Sequence, residues 1–175
     1  MMNAKEHKVL LSLGSNQGDR RACLLEAIER IDAEIAPLFA LSSIYETASW
    51  AYEDHDYLNM TLCILSSLDS TDLMKQLLAL EKDMGRIRTE GEGYQARPID
   101  IDILLVEDVI CDTELLTVPH PRMHQRRFVL EPLVEIAPDW IHEKMERSIS
   151  ELLEQCDDNT AVKFYEKISL HSHRG

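Results

Sequence analysis

Cysteine is sparse: Cys23, Cys63, Cys111 and Cys156 stand far apart in 175 residues, and no C-x-x-C pair occurs. That excludes the usual zinc and dithiol motifs, and free buried thiols in a reducing compartment are expected. Positive charge is also short, with 18 Lys and Arg against 32 Asp and Glu and a net charge of −14. So acidic a chain is a poor non-specific ligand for nucleic acid or for an anionic membrane surface, which attract basic patches. Long apolar runs are missing. The first ten residues, MMNAKEHKVL, hold no signal-like core and no window approaches a membrane span, so a cytoplasmic protein is expected. The turn Gly14-Ser15-Asn16-Gln17-Gly18-Asp19 has neither G-x-G-x-x-G nor a P-loop lysine and reads as a tight turn. No repeat or linker interrupts the chain, which is read as one domain, 1–175.

What is present centres on Arg97-Pro98-Ile99-Asp100-Ile101-Asp102-Ile103-Leu104-Leu105-Val106. It alternates apolar and acidic, then turns fully apolar, as a buried strand would if its first half carried two carboxylates on one face. Residues i and i+2 of a strand lie roughly 6.5–7 Å apart. Two carboxylates at that spacing repel each other and call for a counter-ion. Mg²⁺ suits them, being held by one or two carboxylates plus waters and phosphate oxygens. A solvated strand face paired to Arg is the plainer alternative. Six of the eleven arginines (Arg86, Arg88, Arg97, Arg122, Arg126 and Arg127) lie between positions 86 and 127. Arginines gathered around an Asp pair in an acidic protein fit a polyphosphate carried with its metal.

Around this strand the chain punctuates itself. Lys8–Leu13 reads as a strand. A helix to about Ile35 follows, capped by Asn16 or Asp19, with Leu24, Ile28, Ile31 and Ile35 on one face. Leu41–Thr47 and Tyr57–Leu65 read as strands flanking the aromatic-bearing loop Ala48–Asp56. Asn59 falls in an apolar run and needs partners if buried; a sheet-edge hydrogen bond and the edge of a heterocycle are the two readings. A second helix, capped by Ser70 or Thr71, presents Leu73, Leu77, Leu80 and Met84 and stops at Gly85. The charged, Gly-bearing stretch Arg86–Arg97 reads as a mobile loop. Later elements are a short strand at Val109–Cys111, helices at Val129–Ile136 and Ser148–Gln155, and a strand at Val162–Ile168. Strand, helix, strand, strand, helix, Asp strand is the β-α-β-β-α-β order of an α+β, ferredoxin-like antiparallel sheet layered with helices.

Taken together, five stretches resemble one family, in order and with similar spacing: Gly14-Ser15-Asn16, Tyr57-Leu58-Asn59, Gly85-Arg86-Ile87-Arg88, Arg97-Pro98-Ile99-Asp100-Ile101-Asp102, and Leu116-Thr117-Val118-Pro119-His120-Pro121 through Arg126 and Phe128. The family is the 6-hydroxymethyl-7,8-dihydropterin pyrophosphokinases of folate synthesis, and the resemblance covers about residues 8–140. It implies the ferredoxin-like fold and transfer of pyrophosphate from ATP to the pterin's hydroxymethyl oxygen, with AMP leaving. It also implies two Mg²⁺ ions on Asp100 and Asp102, catalytic roles for those two carboxylates with Arg86 and Arg97, and ATP contacts from Glu81, Arg86, Arg97, His120 and Arg126. Tyr57 and Phe128 would sandwich the pterin, with Asn59 and Thr47 hydrogen-bonding it. ATP and the pterin are the only partners implied. The chain departs from many relatives at Tyr94-Gln95-Ala96, where they carry Trp-Gly-Pro, and at Leu115 and Pro121, where some carry Arg and Tyr. A non-catalytic metal- or nucleotide-binding module of the same fold, and an enzyme moving one phosphate or a nucleotidyl group, are the competing readings.

Overall fold

The computed structural model describes residues 5–48, 56–85 and 98–169. The expected mobile loop with Arg86, Arg88, Tyr94 and Arg97 lies outside the described residues, as do residues 49–55 of the aromatic loop and the end of the tail.

The framework is β1 (His7–Ser15), α1 (Arg20–Arg30), β2 (Leu38–Leu41), β3 (Ile44–Thr47), β4 (Tyr57–Ser66), α2 (Ser70–Asp83) and β5 (Asp100–Val106). A small β6–β7 pair (Cys111–Asp112, Thr117–Val118), α3 (Arg127–Ile136), a β8–β9 hairpin (Ile141–His142, Arg147–Ser148), α4 (Ile149–Glu154) and β10 (Lys163–Glu166) follow. The main sheet is antiparallel in the order β10-β3-β4-β1-β5, with β2 also paired to β4. With β2 and β3 counted as one interrupted strand, this is the ferredoxin-like arrangement, extended by β10.

Each sheet face has its own core. Leu11, Leu13, Leu58, Met60, Leu62 and Ile103 pack with Leu24, Ile28, Leu73 and Leu77 of α1 and α2. Leu10, Cys63, Leu104 and Leu105 pack on the opposite face with Val129, Leu130 and Leu133 of α3 and Ile149 and Leu152 of α4. Being covered on both sides is why Val9-Leu10-Leu11 of β1 and the end of β5 read as unbroken apolar runs. Each fully buried leucine contributes about 1.5–3 kcal/mol.

Several local expectations need correction. Asp69 caps α2, its side chain accepting from Thr71 N–H at 3.0 Å, in place of Ser70 or Thr71. The α1 cap is Asp19, one of the two residues expected, accepting from Ala22 N–H at 3.0 Å; the unexpected feature is that the helix widens into a π-turn at Ile31–Ile35. The expected strand Leu41–Thr47 starts earlier and breaks at Ser42-Ser43. There Ser42 Oγ accepts Thr61 N–H, and Glu135 of α3 accepts both Ser43 N–H and Tyr45 O–H. Cys111 pairs with Val118 rather than back onto β5, although Val109 makes an isolated bridge to Val106.

Candidate active site

The register of three strands builds the site. Opposite residues of an antiparallel sheet share a face. On the α3 side, Cys63, Leu10 and Leu105 form an apolar row inside the second core. The next row towards the strand ends is Thr61, Ser12 and Asp102, and the one after is Asn59, Gly14 and Asp100. The face thus changes from hydrocarbon to carboxylate, hydroxyl and amide within two rows. Beyond the cover of α3 these rows floor a cleft of about 920 Å³. Ser12, Gly14, Asn59, Asp100 and Asp102 line it, together with Thr47 and Ala48 of β3's end, Tyr57, and Gln125, Arg126 and Phe128 at the start of α3.

An irregularity in β5 makes this pattern possible. Leu10 pairs with Leu105 but Leu11 pairs with Ile103, so Leu104 is an extra residue on β5. Such a bulge switches which face the following side chains occupy. Ile101 and Ile103 belong to the α1–α2 core, and so does Val106, while Leu104 and Leu105 join the α3 core beyond Asp100 and Asp102. The carbonyl of Leu104 accepts the His120 N–H at 2.8 Å, tying the Pro119-His120-Pro121 turn to the Asp strand. His120 Nδ1 accepts from Arg122 N–H at 3.1 Å. Burial lowers the His120 pKa; the Asp102 carboxylate opposes that shift, and Arg126 and Arg122 add to it.

Asn59 is 5% exposed, and its Nδ2 donates to Thr47 Oγ1 at 2.8 Å. A Cβ on Gly14 would sit 3.2 Å from Asn59 Oδ1, so the glycine leaves room for this amide. The plainer reading of Asn59 is observed, its amide being hydrogen-bonded within the sheet, and the residue also lines the cleft. In the neighbouring row Thr61 Oγ1 is buried without a partner among the described residues. Arg126 stands over the Phe128 ring, 5.7 Å from its centroid, which stiffens both side chains at the rim.

Glu81 and His120 are not among the cleft-lining residues. Glu81 is 3% exposed, and its Oε1 accepts the Ile101 N–H at 2.6 Å. It therefore holds the edge strand at the residue between the two aspartates. Arg86 and Arg97 fall outside the described residues. The structure brings together Thr47, Tyr57, Asn59, Asp100, Asp102, Arg126 and Phe128 in one cleft. Sequence reasoning missed Ser12, Gln125 and the segment Asp157–Thr160, which also line it. Ser12 was legible in principle, as the polar residue that interrupts the apolar run from Val9 to Leu13. For Asp157-Asp158-Asn159-Thr160 the sequence offered only turn chemistry.

No group of three or more His, Cys, Asp or Glu side chains that could hold a metal exists among the described residues. Asp100 and Asp102 are nevertheless hard oxygen donors sharing one face and one cleft, which fits Mg²⁺, an ion that keeps waters and takes oxygens from substrate phosphates.

The sequence model of the family described as 7,8-dihydro-6-hydroxymethylpterin-pyrophosphokinase matches residues 10–138. The 2-amino-4-hydroxy-6-hydroxymethyldihydropteridine pyrophosphokinase of Porphyromonas gingivalis is 43% identical over 138 residues, covering 77% of this chain and 92% of the relative. The protein of the same name from Aquifex aeolicus is 41% identical over 135 residues, covering 77% and 82%. Among solved structures, wild-type Plasmodium falciparum HPPK-DHPS matches with a TM-score of 0.69 at 14% identity, covering 89% of this chain and 44% of that one. At that identity the likeness speaks for the fold. The chain spans less than half of that longer protein.

Proposed function

The chain belongs to the 7,8-dihydro-6-hydroxymethylpterin-pyrophosphokinase family, and on that premise we propose that the cleft beyond α3 holds ATP and the hydroxymethyl-dihydropterin side by side. The activity is pyrophosphoryl transfer from ATP to 6-hydroxymethyl-7,8-dihydropterin in folate biosynthesis, with AMP as the second product. One observation carries the assignment of roles: a single cleft is lined by the paired carboxylates of the edge strand β5 and, across the sheet, by the amide and hydroxyl of β4 and β3, with two aromatic rings also in its lining.

The chemistry follows from that polarity. The pterin's hydroxymethyl oxygen forms a bond to the β-phosphorus, the bond from that phosphorus to the oxygen bridging to the α-phosphate breaks, and AMP departs with that oxygen. The hydroxyl proton is released. Asn59 and Thr47 hydrogen-bond the edge of the pterin, and Tyr57 and Phe128 enclose its flat ring, fixing the nucleophile. Arg126 faces the triphosphate, joined by Arg86, Arg97 and His120, and the cationic side chains offset charge that spreads over the transferring group. Asp100 and Asp102 would hold Mg²⁺, two ions in this reading, and the metal would supply charge neutralisation at the phosphates and acidification of the hydroxyl. Glu81, assigned to the ATP side from the resemblance, acts here through the Asp strand that its carboxylate anchors. The described residues pack around one main sheet with a core on each face, which supports a single domain across 1–175. No helix among them is long and apolar enough to cross a membrane. A cytoplasmic location, with ATP and the pterin as the only partners, completes the reading.

The test is a product assay. Incubation with ATP, Mg²⁺ and the hydroxymethyl-dihydropterin should yield AMP and the pterin pyrophosphate. ADP would indicate single-phosphate transfer, and no turnover with retained nucleotide binding would indicate a non-catalytic module.

A further inference from the structure

The cleft has a wall that the proposed mechanism leaves without a role. Asp157, Asp158, Asn159 and Thr160 line it, yet they follow α4, beyond the span that matches the family. This strap is anchored at both ends. Behind it Cys156 is buried in the α3–α4 core. Ahead of it β10 pairs with β3, Lys163 opposite Glu46, beside Thr47.

Its midpoint meets the start of α3. That helix has no local cap: Arg126 is its N-cap residue and makes no side-chain capping hydrogen bond. A helix start leaves N–H groups that need acceptors. Asp158 supplies one from 31 positions away, its Oδ2 accepting Arg127 N–H at 3.1 Å. Its backbone carbonyl accepts Arg127 Nε at 2.7 Å. Its Oδ1 accepts Thr160 N–H at 2.9 Å and Thr160 O–H at 2.6 Å. The residues on either side of Arg127 are Arg126 and Phe128, both of which face the cleft. The position of the strap decides which substrate it meets. It joins the sheet through β10 and β3, at the opposite edge from β5 and its aspartates. Between β3 and β5 lie three interstrand steps of about 4.8 Å, roughly 14 Å in all. An acidic strap would repel a triphosphate and tolerates an uncharged ring.

We propose that Asp158 is a positioning residue for the pterin. It caps α3 from a distance, so that Phe128 closes on the ring, and the strap Asp157–Thr160 forms the outer wall of the pterin subsite. This rests on the pyrophosphokinase reading above.

The experiment compares wild type, Asp158→Ala and Asp158→Asn by steady-state kinetics, equilibrium binding of the pterin and of a non-hydrolysable ATP analogue with Mg²⁺, and thermal melting. Asp158→Ala is expected to raise the pterin Kd and KM about tenfold or more, while the KM for ATP stays within about twofold and kcat at saturating pterin falls far less than kcat/KM. Asp158→Asn keeps one carbonyl acceptor of the two oxygens and should fall between. A purely structural role would lower the affinity for both ligands together with the melting temperature, and that result overturns the proposal. So does an unchanged pterin Kd in folded Asp158→Ala or, should that variant not fold, in Asp158→Asn. If wild type makes no AMP, the strap assignment falls with the enzyme reading. If wild type makes AMP and the variants bind pterin normally, the strap assignment alone falls.

Discussion

Replacing Gly14 by alanine tests the floor of the cleft with one methyl group. Gly14 sits between Asn59 and Asp100 in the register, and its added Cβ would lie 3.2 Å from Asn59 Oδ1. Gly14 is a β1 residue and is not among the positive-φ glycines Gly18 and Gly85, so alanine is not strained there by the backbone. Two effects then oppose each other in stability. Alanine removes unfolded-state freedom, a gain of about 0.4–1 kcal/mol, and crowding a packed site costs about 1–3 kcal/mol. The crowded atom ends a short side chain that is tied to Thr47 at 2.8 Å, so it gives way only by a few tenths of an ångström. The cost therefore stays near the low end, and the melting temperature should change by no more than about 4 °C in either direction. Binding is less forgiving. An amide displaced from its place misaligns one buried hydrogen bond to the ligand, about 1–1.5 kcal/mol, or close to tenfold in pterin affinity. Titration calorimetry with the pterin, and separately with an ATP analogue and Mg²⁺, gives both constants. The expected result is about tenfold weaker pterin, ATP affinity within about twofold, and a nearly unchanged melt. Unaltered pterin affinity in a well-folded Gly14→Ala would refute the reasoning, because the amide would then not need this clearance.

Further outcomes follow from the same geometry. Asp102→Ala should abolish turnover while leaving the melting temperature close to wild type, since this carboxylate is exposed rather than packed; normal turnover at saturating Mg²⁺ would end its assignment as a metal ligand. Asn59→Ala should weaken pterin by about tenfold or more with little change in ATP-analogue affinity, and equal losses for both would reassign it to the sheet alone. Glu81→Ala strips the acceptor from the Ile101 N–H and should cost about 1–3 kcal/mol in denaturant melts, with activity falling because the Asp strand loosens; a variant as stable as wild type would show the contact to be idle. Partial burial pushes the Asp158 carboxyl up, but the Thr160 hydroxyl and N–H, the Arg127 N–H and the Arg127 charge together outweigh it and hold it below its ordinary value of 3.8. Its stabilisation is complete above that value and is lost as pH falls through the lowered pKa, so Asp158→Asn should flatten the acid limb of the stability curve; an acid limb identical to wild type would contradict the contact.

The sequence was most legible where one element answered to one period. The four strands and two helices of the β-α-β-β-α-β core follow from alternation and 3.6-residue spacing, and the Asp pair was visible because acidic residues interrupt an otherwise apolar strand. It was least legible where distant residues decide local structure. Ser42-Ser43 reads as mid-strand, yet Glu135, more than ninety positions on, accepts from Ser43 and Tyr45 and stabilises the break. Asp69 caps α2 where Ser70 or Thr71 was expected, because all three residue types are good caps and only geometry ranks them. The strap was invisible because its meaning lies in a contact with Arg127. Phe128 and Arg126 were named through resemblance, and nothing in their local pattern says that they share a cleft with Thr47.

The extra residue in β5 gives the Asp strand a reading frame. Ahead of Leu104 the even-numbered side chains face the cleft; behind it the parity is inverted, so Val106 returns to the α1–α2 core while Leu105 serves α3. Losing or gaining one residue there would force a choice: keep both aspartates over the cleft and misdirect the apolar end, or keep the cores and turn the carboxylates into hydrocarbon. Neither outcome is repaired by a side-chain substitution. Among sequences descended from this one, point changes along β5 can therefore be absorbed singly, whereas single-residue insertions and deletions within it should be purged, and length variation should collect in the connections outside the strand.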